Sequence, residues 1–280
     1  MPTVETNGVE TYYERRGEGP VVVFVHASVL DHAMWDAQVE ALSGDYATVT
    51  YDLRGHGRTG GSDRRAYSMR TYAADLHALL DALDVERAVL CGLSMGGCVA
   101  MTYAAAHPER VAGLVLADTF APPIRTRGEW LLRRVVLPGL TLPVRLLGYE
   151  RVERANVWAA ERLVAGSGGD YGRVRALRAE GPRMATDEFA KVMGAMAGFH
   201  RESVDLGAIT APTLVCYGED DLTFVAVHAA ALASALPDAT VEAIPNAGHA
   251  SNLDAPKAFT AAVRSLAARA FPSGGSADRQ

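Results

Sequence analysis

The sequence predicts an α/β protein with a mostly parallel, doubly wound β-sheet and one inserted helical segment. Short apolar runs typical of buried strands alternate with segments whose apolar residues recur at helical spacing, the pattern of consecutive βαβ units. This alternation stops after residue 119 and resumes after residue 205. The chain has 280 residues, 49% of them hydrophobic, which is enough for one such domain with an insertion.

Outside the insertion, the predicted strands and helices follow each other regularly. Asn7-Gly8 lies between two alternating segments and predicts an antiparallel hairpin at the start of the chain. Further strands are predicted at residues 21–25, 47–51, 88–93, 111–117, 213–217 and 240–244. Helices are predicted at residues 35–42, 68–83, 95–106 and 224–236. Asp254 is expected to cap a last helix that ends near residue 270.

Residues 120–205 are predicted to form a helical cap on the core. They show helical patterns, such as residues 130–137, 151–164 and 188–199, and no convincing strand. They also carry 14 Lys/Arg and 10 Asp/Glu residues, a net charge of +4, whereas the rest of the chain has a net charge of −10. The alternative is that these helices belong to the core. The predicted division is a core of residues 1–119 and 206–270, a cap of residues 120–205 and a flexible tail of residues 271–280.

Composition argues against several classes of partner. The net charge is −6 and no Lys/Arg run exceeds a pair, so nucleic acid is not an expected partner. No run of about 18 apolar residues occurs, and the first ten residues lack the apolar core of a signal peptide; we therefore expect no membrane association and a cytoplasmic location. Cys91, Cys98 and Cys216 lie in apolar contexts and are expected to be reduced core residues. Monomer and homo-oligomer both remain open.

The most informative motif is Gly92-Leu93-Ser94-Met95-Gly96, which joins an apolar strand to a helix rich in small residues. A serine on a sharp strand-to-helix turn is typical of a nucleophile elbow. Glycine is needed on both sides because a Cβ at Gly92 or Gly96 would collide with the neighbouring strand or helix. The alternative is an ordinary glycine-rich turn, so the functional interpretation depends on partner residues.

Candidate partners follow other strand ends, where ligands gather in open α/β sheets. Ser94, Asp221 and His249 occur in the order nucleophile, acid, base. In this arrangement the histidine takes the serine proton, and the acid orients the histidine and stabilises its protonated form. Asp220, next to Asp221, and Asp118, which follows the strand after the elbow, are the alternative acids.

Taken together, five blocks of sequence resemble the α/β-hydrolase superfamily over roughly residues 9–270. They are Val25-His26-Ala27, Asp52-Leu53-Arg54-Gly55-His56-Gly57, Gly92-Leu93-Ser94-Met95-Gly96-Gly97, Gly218-Glu219-Asp220-Asp221 and Asn246-Ala247-Gly248-His249. The single-chain members that the sequence is most similar to are esterases, enol-lactonases, acyl-homoserine-lactone hydrolases and cofactor-free haloperoxidase-like perhydrolases. The resemblance implies the α/β-hydrolase fold.

The resemblance also implies roles for individual residues. The family places its acid three residues after a strand-end glycine, here Gly218, which favours Asp221. It forms its oxyanion hole from two backbone N–H groups, which here are those of Met95 and Ser28. The chain departs from the family at residue 27, where alanine replaces the glycine of the common His-Gly-x sequence.

The remaining candidates concern the substrate pocket and metals. Cap residues that either line an apolar pocket or simply pack the cap on the sheet are Trp130, Trp158, Phe199, Met193 and Met196. His26 and His56 are expected to hydrogen-bond loops more than to react. The other histidines, apart from His249, lack metal-ligand spacing with acids or cysteines, so we predict no metal and no cofactor.

The sequence therefore predicts a serine hydrolase that cleaves a small to medium, largely apolar carboxylic ester or lactone through an acyl-enzyme on Ser94. Perhydrolase chemistry uses the same three residues and is one alternative. A carbon–carbon bond hydrolase is another, disfavoured because Leu93 stands where those enzymes usually have asparagine. A slow-turnover ligand receptor of the same fold is the third.

Overall fold

An eight-stranded β-sheet forms the centre of the fold. The computed structural model describes residues 2–148, 151–152, 171–182 and 184–272. The strands are β1 (Thr3–Thr6), β2 (Val9–Arg16), β3 (Val21–Val25), β4 (Ala47–Tyr51), β5 (Ala88–Leu93), β6 (Val111–Ala117), β7 (Thr213–Gly218) and β8 (Ala239–Ile244). Their order is β1-β2-β4-β3-β5-β6-β7-β8. Strands β3 to β8 pair in parallel, whereas β2 is antiparallel to β1 and to β4. The predicted α/β class with a mostly parallel sheet is confirmed.

The antiparallel start of the sheet follows from the Asn-Gly turn. Asn7 and Gly8 have φ angles of 46° and 79°, the left-handed conformation that a type I′ turn requires at both central positions. Thr6 therefore pairs directly with Val9 across the turn. The predicted hairpin is confirmed.

Helices cover both faces of the sheet. Those of the described residues are α1 (Asp36–Leu42), α2 (Met69–Ala82), α3 (Met95–Ala106), α4 (Arg127–Leu131), α5 (Leu137–Leu147), α6 (Tyr171–Glu180), α7 (Thr186–Gly198), α8 (Thr223–Ala235), α9 (Ser251–Asp254) and α10 (Pro256–Ala270). Within β3, Val23 and Val25 share a buried cluster with residues of α2, α3 and α8. Val22 and Phe24 point to the other face and share a cluster with residues of α1 and α10. Two apolar cores thus hold the sheet between helices. Among the described residues, no helix combines the length and apolar character needed to cross a membrane.

Between β6 and β7 the described residues form α4 to α7 and a π-helix at Leu132–Val136, with no strand among them. Contacts between this segment and the region around the start of α2 include two hydrogen bonds to glutamates: the Tyr67 hydroxyl donates to Glu188, and the Met69 N–H donates to Glu202. The division into core and cap stays a prediction. Most of the helix predicted at residues 151–164, and residues 273–280 of the predicted tail, lie outside the described residues.

The expected capping role of Asp254 is wrong. Asp254 ends the short helix α9, and α10 begins at Pro256 without a side-chain cap. The Asp254 carboxylate instead accepts the backbone N–H of Gly248 at 2.8 Å. It therefore holds the loop that precedes His249.

Ser94 lies at the turn between β5 and α3. Its backbone angles, φ 54° and ψ −114°, belong to a region that residues with a Cβ rarely adopt. An added Cβ would lie 2.3 Å from the Gly96 carbonyl oxygen at position 92, and 2.1 Å from the Val25 carbonyl oxygen at position 96. Glycine at both positions therefore allows α3 to approach β3 and β5 closely enough to hold the serine in this conformation.

This geometry predicts that Gly96→Ala lowers the free energy of unfolding by about 3 kcal/mol or more, because the methyl group would overlap strand backbone that cannot move easily. Gly194→Ala is the matched control. Nothing lies within 4 Å of a Cβ at position 194, in α7, so this variant should be unchanged or more stable by about 0.5–1 kcal/mol. Urea denaturation measures both. Equal stability of the two variants would contradict the close-packing account.

Candidate active site

Ser94, His249 and Asp221 are joined by a continuous chain of hydrogen bonds. The Ser94 hydroxyl donates to His249 Nε2 at 3.0 Å, and His249 Nδ1–H lies 3.0 Å from both carboxylate oxygens of Asp221. The Asp221 side chain is 1% exposed, whereas that of His249 is 38% exposed. Burial lowers the pKa of His249, but the nearby Asp221 carboxylate outweighs burial and leaves this pKa above its ordinary value. The arrangement can remove the serine proton and hold it on the imidazole.

The three candidate acids occupy different environments. Asp220 is exposed, and within the described residues only Asp221 hydrogen-bonds His249 Nδ1. Asp118 is fully buried at the end of β6 and does not contact the imidazole nitrogens directly. Of the three candidate acids, only Asp221 therefore lies at hydrogen-bonding distance from the imidazole.

Asp118 instead connects the two loops that carry Asp221 and His249. One carboxylate oxygen accepts the N–H of Gly218 at 2.9 Å; the other accepts the N–H and hydroxyl of Ser251 at 3.1 and 2.6 Å. Its backbone is left-handed, with φ 46°. Burial is the main cause that raises the pKa of Asp118 to about 7. Asp118 thus holds both loops in place.

The raised pKa of Asp118 predicts how the effect of Asp118→Asn on stability changes with pH. A carboxyl with a folded-state pKa near 7 contributes stability that is fully present below its unfolded pKa, near 4, and is lost as the pH rises through about 7. The stability of the parent relative to the asparagine variant should therefore decrease from about pH 5 to about pH 8. Urea denaturation of both proteins at each pH measures this difference. A difference that stays constant, or increases with pH, would contradict the raised pKa.

The loop after β3 forms part of the wall of the cavity beside Ser94. Ser28 and Val29 line the same cavity as Ser94. Ala27 does not have a positive φ, so alanine meets no backbone strain where the family commonly has glycine. The strained residue is Val29, with φ 57°, a conformation that is rare for a β-branched side chain. Met95 is the first residue of α3, so its backbone N–H lies at the helix N-terminus beside Ser94.

His26 and His56 support loops around the site. His26 Nδ1–H donates to the Ala27 carbonyl at 2.7 Å, and His26 Nε2 accepts the Leu53 N–H at 2.9 Å. This pattern defines a neutral imidazole, and burial lowers the pKa of His26 accordingly. Burial also lowers the pKa of His56 to about 3. The described contacts of both rings agree with a loop-positioning role.

One group of side chains has the composition of a metal site. Asp31, His32 and Asp52 bring three potential ligand atoms within 4.8 Å of one another, a proximity that the sequence did not indicate. However, His32 Nδ1 and Asp52 are already hydrogen-bonded at 2.7 Å. Burial lowers the pKa of His32, but the Asp52 carboxylate outweighs burial and raises this pKa overall. The geometry describes a hydrogen-bonded pair of His32 and Asp52, and we assign no metal to it.

A cavity of about 390 Å³ opens beside Ser94 and His249. The side chains that line it are mostly apolar. Phe120, which follows the end of β6, is one of them, and the described lining residues beyond the strand-end loops are Leu132, Arg133, Leu137, Val174, Arg178 and Met196. Such a cavity suits a small molecule with an apolar body.

Only part of the predicted pocket lines this cavity. Met196 does, but Trp130, Met193 and Phe199 are absent from the described lining residues. Met193 and Phe199 are buried in the apolar core, and Trp130 on α4 is 51% exposed. Trp158 lies outside the described residues. The packing alternative therefore describes Met193 and Phe199, whereas the exposed Trp130 fits neither the packing nor the pocket prediction.

Sequence reasoning missed several residues that line the cavity, and one of them carried a usable signal. Phe120 follows the end of β6 by three residues, so the strand-end rule that indicated Asp118, Asp220 and Asp221 as candidates could have indicated Phe120 too. Its ring stacks on the His249 ring with centroids 6.0 Å apart. Arg133 and Leu137 are four residues apart, which is the spacing of one helix face, but nothing local indicates that this face meets the cavity.

Comparison with known proteins agrees with this architecture. The family model described as the alpha/beta hydrolase fold matches residues 20–256, and the chain belongs to this family. A putative carbamate hydrolase of Pseudomonas syringae is 28% identical over 243 residues, covering 83% of this chain and 87% of the relative.

Two solved structures extend the comparison. An esterase from Thermogutta terrifontis superposes with a TM-score of 0.80 at 28% identity, covering 96% of this chain and 98% of the other. The enol-lactonase from Burkholderia xenovorans superposes with a TM-score of 0.78 at 27% identity, covering 95% and 99%. The family and these relatives support a hydrolase that acts on a small molecule.

Proposed function

We propose that the protein is a serine hydrolase that cleaves a small to medium, largely apolar carboxylic ester or lactone. The observation that carries the proposal is the hydrogen-bond chain from Ser94 through His249 to Asp221, located at the wall of an apolar cavity. The similarity to proteins described as an esterase and an enol-lactonase supports the same reaction class.

The proposed reaction uses only groups of the chain and water. Ser94 Oγ attacks the acyl carbon while His249 Nε2 takes the hydroxyl proton, and Asp221 stabilises the resulting imidazolium. The backbone N–H groups of Met95 and Ser28 bind the oxyanion of the tetrahedral intermediate. His249 then passes the proton to the leaving alkoxide. A water molecule, deprotonated by His249, hydrolyses the acyl-enzyme and frees Ser94.

The alternative functions can be distinguished by the product that forms and by whether an ester is turned over. A perhydrolase would form a peracid when peroxide replaces water at the deacylation step. A receptor would bind but not turn over a chromogenic ester, and the Ser94-His249-Asp221 geometry argues against that alternative. A carbon–carbon bond hydrolase is disfavoured because Leu93 stands where those enzymes usually have asparagine.

Hydrolysis of 4-nitrophenyl butyrate tests the proposal. Ser94→Ala should lower kcat by about 10⁴-fold or more, because no other group can form the acyl-enzyme. A circular dichroism spectrum equal to that of the parent shows that the variant is folded. Turnover of a highly purified Ser94→Ala protein at the parental rate would refute the nucleophile assignment.

The acid assignment is tested by a matched pair of neighbouring carboxylates. Asp221→Asn should lower kcat by about 10⁴-fold, because asparagine favours the wrong histidine tautomer. Asp220→Asn removes an equal charge one residue away on an exposed side chain and should stay within about tenfold of the parent. The same butyrate ester serves for both variants. If Asp220→Asn is the inactive one, Asp221 is not the acid.

A further inference from the structure

Arg133 introduces a buried cation into the largely apolar cavity. The residue is only 4% exposed, yet it lies among the described residues that line the cavity next to Ser94. It belongs to the π-helix Leu132–Val136. Helices of this type are rare overall, and those that occur are frequently located at functional sites. Because a buried guanidinium is costly to desolvate, its position needs an explanation.

Contacts on one side of Arg133 fix its position. Nε–H donates to the Glu129 carboxylate at 2.8 Å, and Nη1–H donates to the Met196 carbonyl at 2.8 Å. The guanidinium carbon lies 5.0 Å from the centre of the Phe120 ring. In the described part of the chain, Nη2 has no hydrogen-bond partner. The guanidinium is thus held rigidly with donor capacity left over.

Glu129 is itself held by hydrogen bonds from Arg125, which is near in sequence, and from His228, which is distant in sequence. It is fully buried and accepts hydrogen bonds from His228 Nε2 at 2.7 Å and from the Arg125 N–H at 2.8 Å. His228 Nδ1 in turn accepts the Ala121 N–H at 3.0 Å. Burial raises the pKa of Glu129, but these hydrogen bonds outweigh burial and hold the pKa below its ordinary value. An ionised Glu129 therefore orients Arg133 through contacts that the cavity does not share.

Arg133 lies within reach of a substrate bound at Ser94. Phe120 contacts both the guanidinium and, at 6.0 Å between ring centroids, His249. The distance from the Arg133 guanidinium carbon to the centre of the His249 ring is therefore at most the sum of these two distances. A substrate with a short carbon chain can span it. Of the charged residues that line the cavity, the two arginines, Arg133 and Arg178, belong to the segment 120–205, whereas the three carboxylates, Asp220, Asp221 and Asp254, lie outside it.

We propose that Arg133 is a specificity-determining residue that binds a carboxylate of the substrate. Guanidinium donors form charge-assisted hydrogen bonds with carboxylates, and a rigidly held guanidinium binds one at little further entropic cost. The substrate class is then an ester or lactone that carries a second, ionised carboxylate a few carbon atoms from the scissile carbonyl. This inference rests on the proposed hydrolase function and narrows its substrate.

Two matched esters test this inference: the 4-nitrophenyl monoester of glutaric acid, which carries a free carboxylate, and 4-nitrophenyl pentanoate, which does not. The measured quantity is the ratio of kcat/KM for the anionic ester to kcat/KM for the neutral ester. Arg133→Gln should lower this ratio by about tenfold or more, the loss expected for a hydrogen bond between charged groups. The control Arg134→Gln removes an exposed guanidinium of equal charge from the next residue and should leave the ratio within about twofold.

A merely structural Arg133 would give a different result. Both esters would then lose kcat/KM together, the ratio would stay constant in Arg133→Gln, and the inference would be overturned. If the hydrolase proposal itself is wrong, the parent enzyme turns over neither ester, so the two failures are distinguishable. Activity on the neutral ester with no carboxylate preference refutes only the substrate inference.

A measurement on the parent enzyme covers the case in which Arg133→Gln does not fold. Glutarate and its neutral diamide, glutaramide, are compared as competitive inhibitors of 4-nitrophenyl pentanoate hydrolysis. Glutarate should inhibit at a concentration at least about tenfold lower than glutaramide. Equal inhibition by the two compounds, or stronger inhibition by the diamide, would overturn the inference.

Discussion

The close approach of helix α3 to strands β3 and β5 is the constraint on which the rest of the site depends. Gly92 and Gly96 permit it, because a Cβ at either position would meet backbone carbonyl oxygen at little more than 2 Å. The approach forces Ser94 into a strained turn and brings its hydroxyl to the carboxyl edge of the sheet. His249 and Asp221 reach this point only because β7 and β8 end at the same edge.

Carboxyl groups stabilise the loops around this turn. Asp118 binds the loops that carry Asp221 and His249, and Asp254 binds the N–H before His249. Asp52 pairs with His32 below the loop that contains Ser28. Asp118 and Asp52 each accept several hydrogen bonds, as buried carboxyl groups require. The candidate active site therefore sits on a framework of buried polar contacts, whereas the cavity in front of it is mostly apolar.

The parts of the fold that the sequence predicted correctly are those set by local patterns. Continuous apolar runs specify strands, Asn7-Gly8 specifies a hairpin, and the spacing of Gly92, Ser94 and Gly96 specifies the strand-to-helix turn. Strand ends indicated the candidates Asp221 and His249, because parallel strands bring their carboxyl ends to one edge, but the preference for Asp221 over its alternatives came from the resemblance to the family.

The cavity could not be predicted in the same way. Met196 and Phe199 are three residues apart, yet one lines the cavity and the other is buried in the core, because helix packing between distant segments decides which side faces Ser94. The contact of Glu129 with His228 joins residues 99 positions apart, and no local pattern indicates it. Asp254 failed as a helix cap because its carboxylate has a tertiary partner in Gly248.

Covalent labelling with a fluorophosphonate tests the central claim most directly. An activated serine displaces fluoride and forms a stable adduct, which intact-protein mass spectrometry counts and peptide mapping locates. The account predicts one adduct per chain, on the peptide that contains Ser94, and none in Ser94→Ala. A folded protein that forms no adduct, or forms it on another residue such as Ser28, would contradict the account.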